Sequence, residues 1–145
     1  MKDLIKRMLI EESKKKDIIV PYKLEDRPER YKRIIYKKIQ EYIKNGSVGD
    51  LILSNSPIES LPSNLKIVGG YLHLSNTQIS SLPSGLKVGG YLDLYNTPIS
   101  SLPSGLTVGS NLYLGNTPIS RKYTKDQIRK MIEDSGGYVK GYIWT

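Results

Sequence analysis

The chain carries a single imidazole and no thiol: His73 is the only histidine, and cysteine is absent from all 145 residues. Disulfide pairing, thiolate metal sites and cysteine catalysis are therefore excluded, and one histidine is too few for a histidine-rich metal centre. Ser75, His73 and Asp93 are the residue types of a nucleophile, a base and an orienting carboxylate. Such a set hydrolyses only when the base is held from behind and an oxyanion hole lies in a dry pocket. Nothing around these residues supplies either, so the expectation is a surface histidine–carboxylate pair, with no catalytic residue, no metal and no cofactor. Gly69-Gly70 and Gly89-Gly90 lack the strand–glycine–helix context of a phosphate loop. The remaining residues suited to chemistry are eleven tyrosines, the single Trp144 and a set of basic side chains. Tyr and Trp are rigid, amphipathic anchors of interfaces, and clustered Lys and Arg attract phosphate backbones.

Charge is unevenly placed along the chain. Residues 1–46 have a net charge of +6, residues 47–120 of −1 and residues 121–145 of +3, within a total of +8. Two basic ends thus flank a nearly uncharged middle rich in Ser, Gly, Leu and Asn, which marks a change of architecture. No apolar run approaches the roughly 18 residues that cross a bilayer. Lys6-Arg7 interrupts Leu4-Ile5 and Met8-Leu9-Ile10, so no secretory core segment is expected. One domain's length is enough to bury a core.

The middle block is a repeat. Leu51-Ile-Leu-Ser-Asn55 is followed by Leu72-His-Leu-Ser-Asn76, Leu92-Asp-Leu-Tyr-Asn96 and Leu112-Tyr-Leu-Gly-Asn116. The asparagines are spaced 21, 20 and 20 residues apart. Each L-x-L places two leucines on one side of a short strand. Ile79, Leu82, Leu86 and Val88 then bring the chain back with their side chains inward, and Gly85, Gly105 and Asn64 occupy turn positions that tolerate a positive φ. One coil cannot bury its apolar face alone, so neighbouring coils must stack. The expectation is an α/β repeat solenoid of about five parallel strands with irregular return arms.

These motifs resemble the leucine-rich repeat family in its short, twenty-residue form, with L-P-x-x-L in the return arm. The resemblance covers residues 47–120. The family's usual asparagine stands three places after the second strand leucine, where this chain has Ser56, Thr77, Thr97 and Thr117, with Asn55, Asn76, Asn96 and Asn116 one place earlier. That asparagine column is expected to bond backbone groups where each strand exits. The resemblance implies protein recognition through the strand-lined face. More narrowly, the chain is similar to small repeat proteins of tailed bacteriophages, in which a basic M-K-x-L-I-K-R helix precedes such coils. That likeness implies an intracellular (cytoplasmic) or phage-particle location. It also implies a packaging or delivery peptide at residues 1–12, where Leu9-Ile10-Glu11 and Ile10-Glu11-Glu12 resemble a processing motif.

The open ends of a solenoid need covers. Residues 1–46 are expected to form a basic helical segment and cap. In it, Leu4, Ile5, Met8 and Leu9 line one side of a helix over 1–16, which docks or detaches. A second helix over 28–44 starts at Asp26, Pro28 and Glu29, carries Tyr31, Ile34, Ile35, Ile39, Tyr42 and Ile43 at helical spacing to cover the first coil, and stops at Asn45-Gly46. Residues 121–145 are expected to form a cap helix capped by Thr124 and Gln127, with Ile128, Met131 and Ile132 inward. A final strand then aligns Val139-Lys-Gly-Tyr-Ile143-Trp144 with the earlier coils.

On the strands, residues between the leucines point outward in three columns. The first is Asp50, Tyr71, Tyr91, Asn111 and Tyr142; the second Ile52, His73, Asp93, Tyr113 and Trp144; the third Ser54, Ser75, Tyr95 and Gly115. At about 4.8 Å per strand this patch is roughly 20 Å long. It supports a non-enzymatic protein-binding module whose partner contacts are Tyr71, His73, Tyr91, Asp93, Tyr95, Tyr113, Tyr142 and Trp144. Two alternatives compete. One is a phage structural or self-assembling protein with an N-terminal targeting peptide, self-association being favoured by an uncovered last strand. The other is nucleic-acid backbone binding by Arg30, Arg33, Lys37 and Lys44 on one flank of helix 28–44, aided by Lys14-Lys15-Lys16.

Overall fold

A computed structural model describes residues 28–145. The chain divides into two compact units, residues 1–31 and 32–145. Of the first, only the opening turn of a helix is described. The expected helix over 1–16, the lysines at 14–16, the processing motif and the Asp26 cap lie outside the described residues.

Helix α1 spans Pro28–Lys44, with Glu29 in its first turn and Lys44 in its last, signs that complement the helix dipole. It ends as the sequence predicts. Gly46 takes φ +92°, its N–H donates to the Ile43 carbonyl, and the Ser47 N–H reaches back to Tyr42. These two bonds form a Schellman ending. Ile35 and Ile39 are buried. Gln40 and Asn64 exchange two side-chain hydrogen bonds, and Lys32 pairs with Glu59 at 3.2 Å. The Tyr42 hydroxyl lies 2.9 Å from the Ser47 carbonyl and 2.8 Å from that of Gly49, and accepts the Gly69 N–H. The helix is thereby tied to the first coil.

A parallel β-solenoid follows. Strands β1 (Leu51–Ile52), β3 (Leu72–His73), β5 (Leu92–Asp93), β7 (Leu112–Tyr113) and β9 (Ile143–Trp144) form a five-stranded parallel sheet in that order. A second parallel sheet of β2 (Ile67–Val68), β4 (Lys87–Val88), β6 (Thr107–Val108) and β8 (Tyr138–Val139) corrects the expectation of irregular return arms. Each of its strands is only two residues long and turns one valine inward. The core is the column set of the repeat: Leu72, Leu74, Ile79, Leu86, Leu92, Leu94, Ile99, Leu106, Leu112 and Leu114 are fully buried.

The corners are glycines because successive backbones nearly touch. A Cβ on Gly89 would overlap the Gly69 carbonyl oxygen, and one on Gly109 the Gly89 carbonyl. Where each strand exits, Asn55, Asn76, Asn96 and Asn116 all adopt left-handed φ between 54° and 60°, which asparagine tolerates better than most residues. Their side chains do not bond the backbone as expected. They bond one another, Asn76 to Asn55, Asn96 to Asn76 and Asn116 to Asn96, at 2.6–2.9 Å. Arg121 then donates to Asn116 at the end of the ladder. The backbone bonding falls to the next column. Ser56, Thr77, Thr97 and Thr117 are buried and donate to the carbonyls of Leu53, Leu74, Leu94 and Leu114. Gly85 and Gly105 take positive φ as the turn chemistry requires, whereas Asn64 does not; its side chain is used against Gln40 instead.

In the last coil the return arm is helical, as the sequence implies. A short helix α2 (Pro118–Lys122) that the repeat did not predict precedes α3 (Lys125–Asp134). Thr124 and Gln127 make the expected capping box. Ile128 and Ile132 are buried, but Met131 faces solvent. Arg129 donates to the Val139 and Gly141 carbonyls at 2.7 and 2.8 Å, clamping α3 to the corner that leads into β9. The last strand pairs Leu112 with Ile143 and Tyr113 with Trp144.

Candidate functional site

The five-stranded sheet fixes the register of its outward residues. Ile52, His73, Asp93, Tyr113 and Trp144 stand in one row, each paired with its neighbour across adjacent strands. The flanking rows follow from the same ladder. The Leu72, Leu92 and Leu112 N–H groups donate to the carbonyls of Tyr91, Asn111 and Tyr142, and the Asn55, Asn76 and Asn96 N–H groups to Ser75, Tyr95 and Gly115. All eight partner-contact residues expected from the sequence therefore lie on one face.

Their side chains divide into two groups. Tyr71 stacks on Tyr91 with ring centroids 4.1 Å apart and an 18° interplanar angle. Tyr91 meets Tyr113 edge-to-face at 5.6 Å and His73 edge-to-face at 4.9 Å. The Tyr91 hydroxyl lies 2.9 Å from His73 Nε2, a hydrogen bond whose direction follows the imidazole tautomer. Burial, and secondarily the Asp93 charge, push the Tyr91 phenol above its ordinary value. At the other end Tyr142 and Trp144 tilt against each other at 6.2 Å, and the Lys125 ammonium sits 5.6 Å over the Trp144 ring.

The polar residues on this face are mostly engaged. Asp50 accepts the Tyr71 N–H at 2.8 Å and Asn111 the Tyr142 N–H at 2.9 Å, so both hold the start of the next strand. The Ser75 hydroxyl donates to Ser54. Asp93 accepts the Tyr95 N–H at 3.0 Å, and His73 is turned to Tyr91. The expected histidine–carboxylate pair is thus not formed, and Ser75, His73 and Asp93 do not make a relay.

Between the two groups the face is hollow. A cleft of about 470 Å³ is lined by Ser75, Tyr91, Asp93, Tyr95, Tyr113, Gly115, Trp144 and Thr145. Five of the eight expected contact residues form its walls, while Tyr71, His73 and Tyr142 do not line it. Gly115 is the residue the sequence analysis passed over. Standing beside Tyr95 in the third row, a Cβ there would lie 2.9 Å from the Tyr95 ring, so the missing side chain lets that ring lie over Gly115. Its signal was present: it is the one glycine in a row otherwise made of Ser54, Ser75 and Tyr95.

The basic residues expected for nucleic acid are placed differently. Arg30, Arg33, Lys37 and Lys44 are all exposed on α1, and at 100° per residue they fall on one flank opposite the buried Ile35 and Ile39. Glu41 lies on that same flank. Among the described residues no three His, Asp or Glu side chains converge as metal ligands, and no helix is long and apolar enough to cross a membrane. No protein family, curated protein or solved structure matches the chain.

Proposed function

We propose that this chain is a non-enzymatic protein-binding module of the leucine-rich-repeat kind, which recognises its partner through the aromatic face of the five-stranded sheet. The observation that carries the reading is the hollow itself. Four aromatic side chains, Tyr91, Tyr95, Tyr113 and Trp144, converge on one cleft beside Asp93. Tyr95 and Trp144 are half exposed, at 50% each. Stiff strands hold these rings, so little side-chain entropy is lost when a partner covers them.

The test is affinity capture from a lysate of the source cells by the wild type and by a Tyr91→Ser/Tyr113→Ser variant, with circular dichroism confirming that both fold. The reading expects a protein retained by the wild type and lost by the variant. Equal capture by both would move the contact to another surface, and nucleic acid in the captured fraction would point to the α1 flank.

A further inference from the structure

The charge of the strand-lined face is opposite to that of the chain. The three outward rows contain no Lys or Arg, and their only formal charges at neutral pH are Asp50 and Asp93, although the whole chain has a net charge of +8. Asp50 faces the backbone of the next strand, which leaves Asp93 as the carboxylate of the cleft. One of its oxygens accepts the Tyr95 N–H; among the described residues the other has no hydrogen-bond partner. Around it stand the aromatic side chains of Tyr91, Tyr95, Tyr113 and Trp144. The wall also shows what it attracts, because the Lys125 ammonium sits 5.6 Å over the Trp144 ring.

We infer that the cleft receives an arginine side chain from a basic, extended segment of the protein partner. A guanidinium is planar and weakly hydrated, stacks on aromatic rings and forks onto a carboxylate, and each of those contacts has its counterpart here. A sugar would also stack on Tyr and Trp, but its hydroxyl groups need several free polar partners. Ser75, Asn111 and Asp50 are already bonded within the chain. The inference rests on the proposed binding face and adds the chemistry of what it recognises.

Trp144 is the only tryptophan, so its emission on the full chain reports occupancy of the cleft. The probes are Gly-Arg-Gly blocked at both termini and the same peptide with citrulline, which keeps the shape and lacks the charge, each titrated at one fixed ionic strength. The arginine peptide should change Trp144 emission saturably, at least about tenfold more tightly than the citrulline peptide. Asp93→Asn keeps an acceptor for the Tyr95 N–H and should erase that preference. Lys125→Met, which frees the Trp144 ring, should tighten arginine binding. Equal binding of the two peptides, no response to arginine, an unchanged preference in Asp93→Asn, or saturation by maltose alone would each overturn the inference. In those cases a partner still captured by the wild type and lost by Tyr91→Ser/Tyr113→Ser would leave the binding face standing.

Discussion

Tyr91 is the residue on which most of the face converges. It stacks on Tyr71, meets Tyr113 and His73 at their edges and walls the cleft. The same crowding gives it a measurable signature. Its phenol is held above the ordinary value of 10.0, chiefly by burial and then by the nearby Asp93 charge. A raised folded value means that the native state keeps its proton longer than the unfolded state. Stability is therefore undiminished below pH 10, then falls as pH rises from there through the folded value. Tyr91→Phe should flatten part of that alkaline fall, seen as a smaller loss of urea midpoint between pH 9 and pH 11. The fall should not vanish, because burial raises Tyr42 in the same direction. A Tyr91→Phe profile parallel to wild type would mean that this phenol is no harder to ionise in the fold than out of it.

At the scale of the element, the strand exit combines two devices in adjacent residues. Asn96 makes the left-handed turn at φ 55° and extends the amide ladder to Asn76 and Asn116; Thr97 turns inward and bonds the Leu94 carbonyl at 2.8 Å. Substitution separates the contributions of Asn96. Asn96→Gly keeps the turn and loses only the exposed ladder bonds, at a cost of about 1 kcal/mol. Asn96→Ala loses the bonds and also places a Cβ in the left-handed region, so about 2–3 kcal/mol is expected. Chemical denaturation of the two variants tests this, and equal costs would show that the backbone conformation carries no penalty. The sequence located both columns but assigned the backbone bonding to the asparagines, whereas the hydroxyls make it. A twenty-residue spacing says which residues stack, and both amides and hydroxyls can bond a backbone. Which of the two turns inward depends on the sign of φ at the asparagine, and spacing does not encode that sign. The second sheet was hidden for a similar reason. Ile67-Val68, Lys87-Val88, Thr107-Val108 and Tyr138-Val139 share only the inward valine, and two residues are too few to show alternation.

Taken as a whole molecule, the solenoid was legible because each coil repeats the same inward leucines, and a shared inward set at one spacing leaves parallel stacking as the arrangement that buries it. The rows of the outer face follow from that register alone, which is why all eight residues expected to meet a partner came out on one side. The cleft did not follow, since it depends on how the Tyr95 ring lies over Gly115 and on other ring orientations that spacing leaves free. The same one-dimensional logic governs how the molecule should come apart. Each coil touches only its neighbours, so stability is close to a sum of coil terms and interfaces. Leu92 is fully buried with a strand on either side, whereas Ile143 is 4% exposed on a strand paired on one side only. Leu92→Ala should cost about 3–4 kcal/mol, near the middle of the range for a leucine cavity, and lower amide protection throughout the coils between residues 51 and 139. Ile143→Ala should cost less, about 2 kcal/mol. Its faster exchange should be confined to β9 and the α3 return arm, with β1 to β6 keeping wild-type protection. Native-state hydrogen exchange reads both patterns. A loss of protection at β1 and β2 as large in Ile143→Ala as in Leu92→Ala would mean that the coils open as one cooperative block rather than neighbour by neighbour.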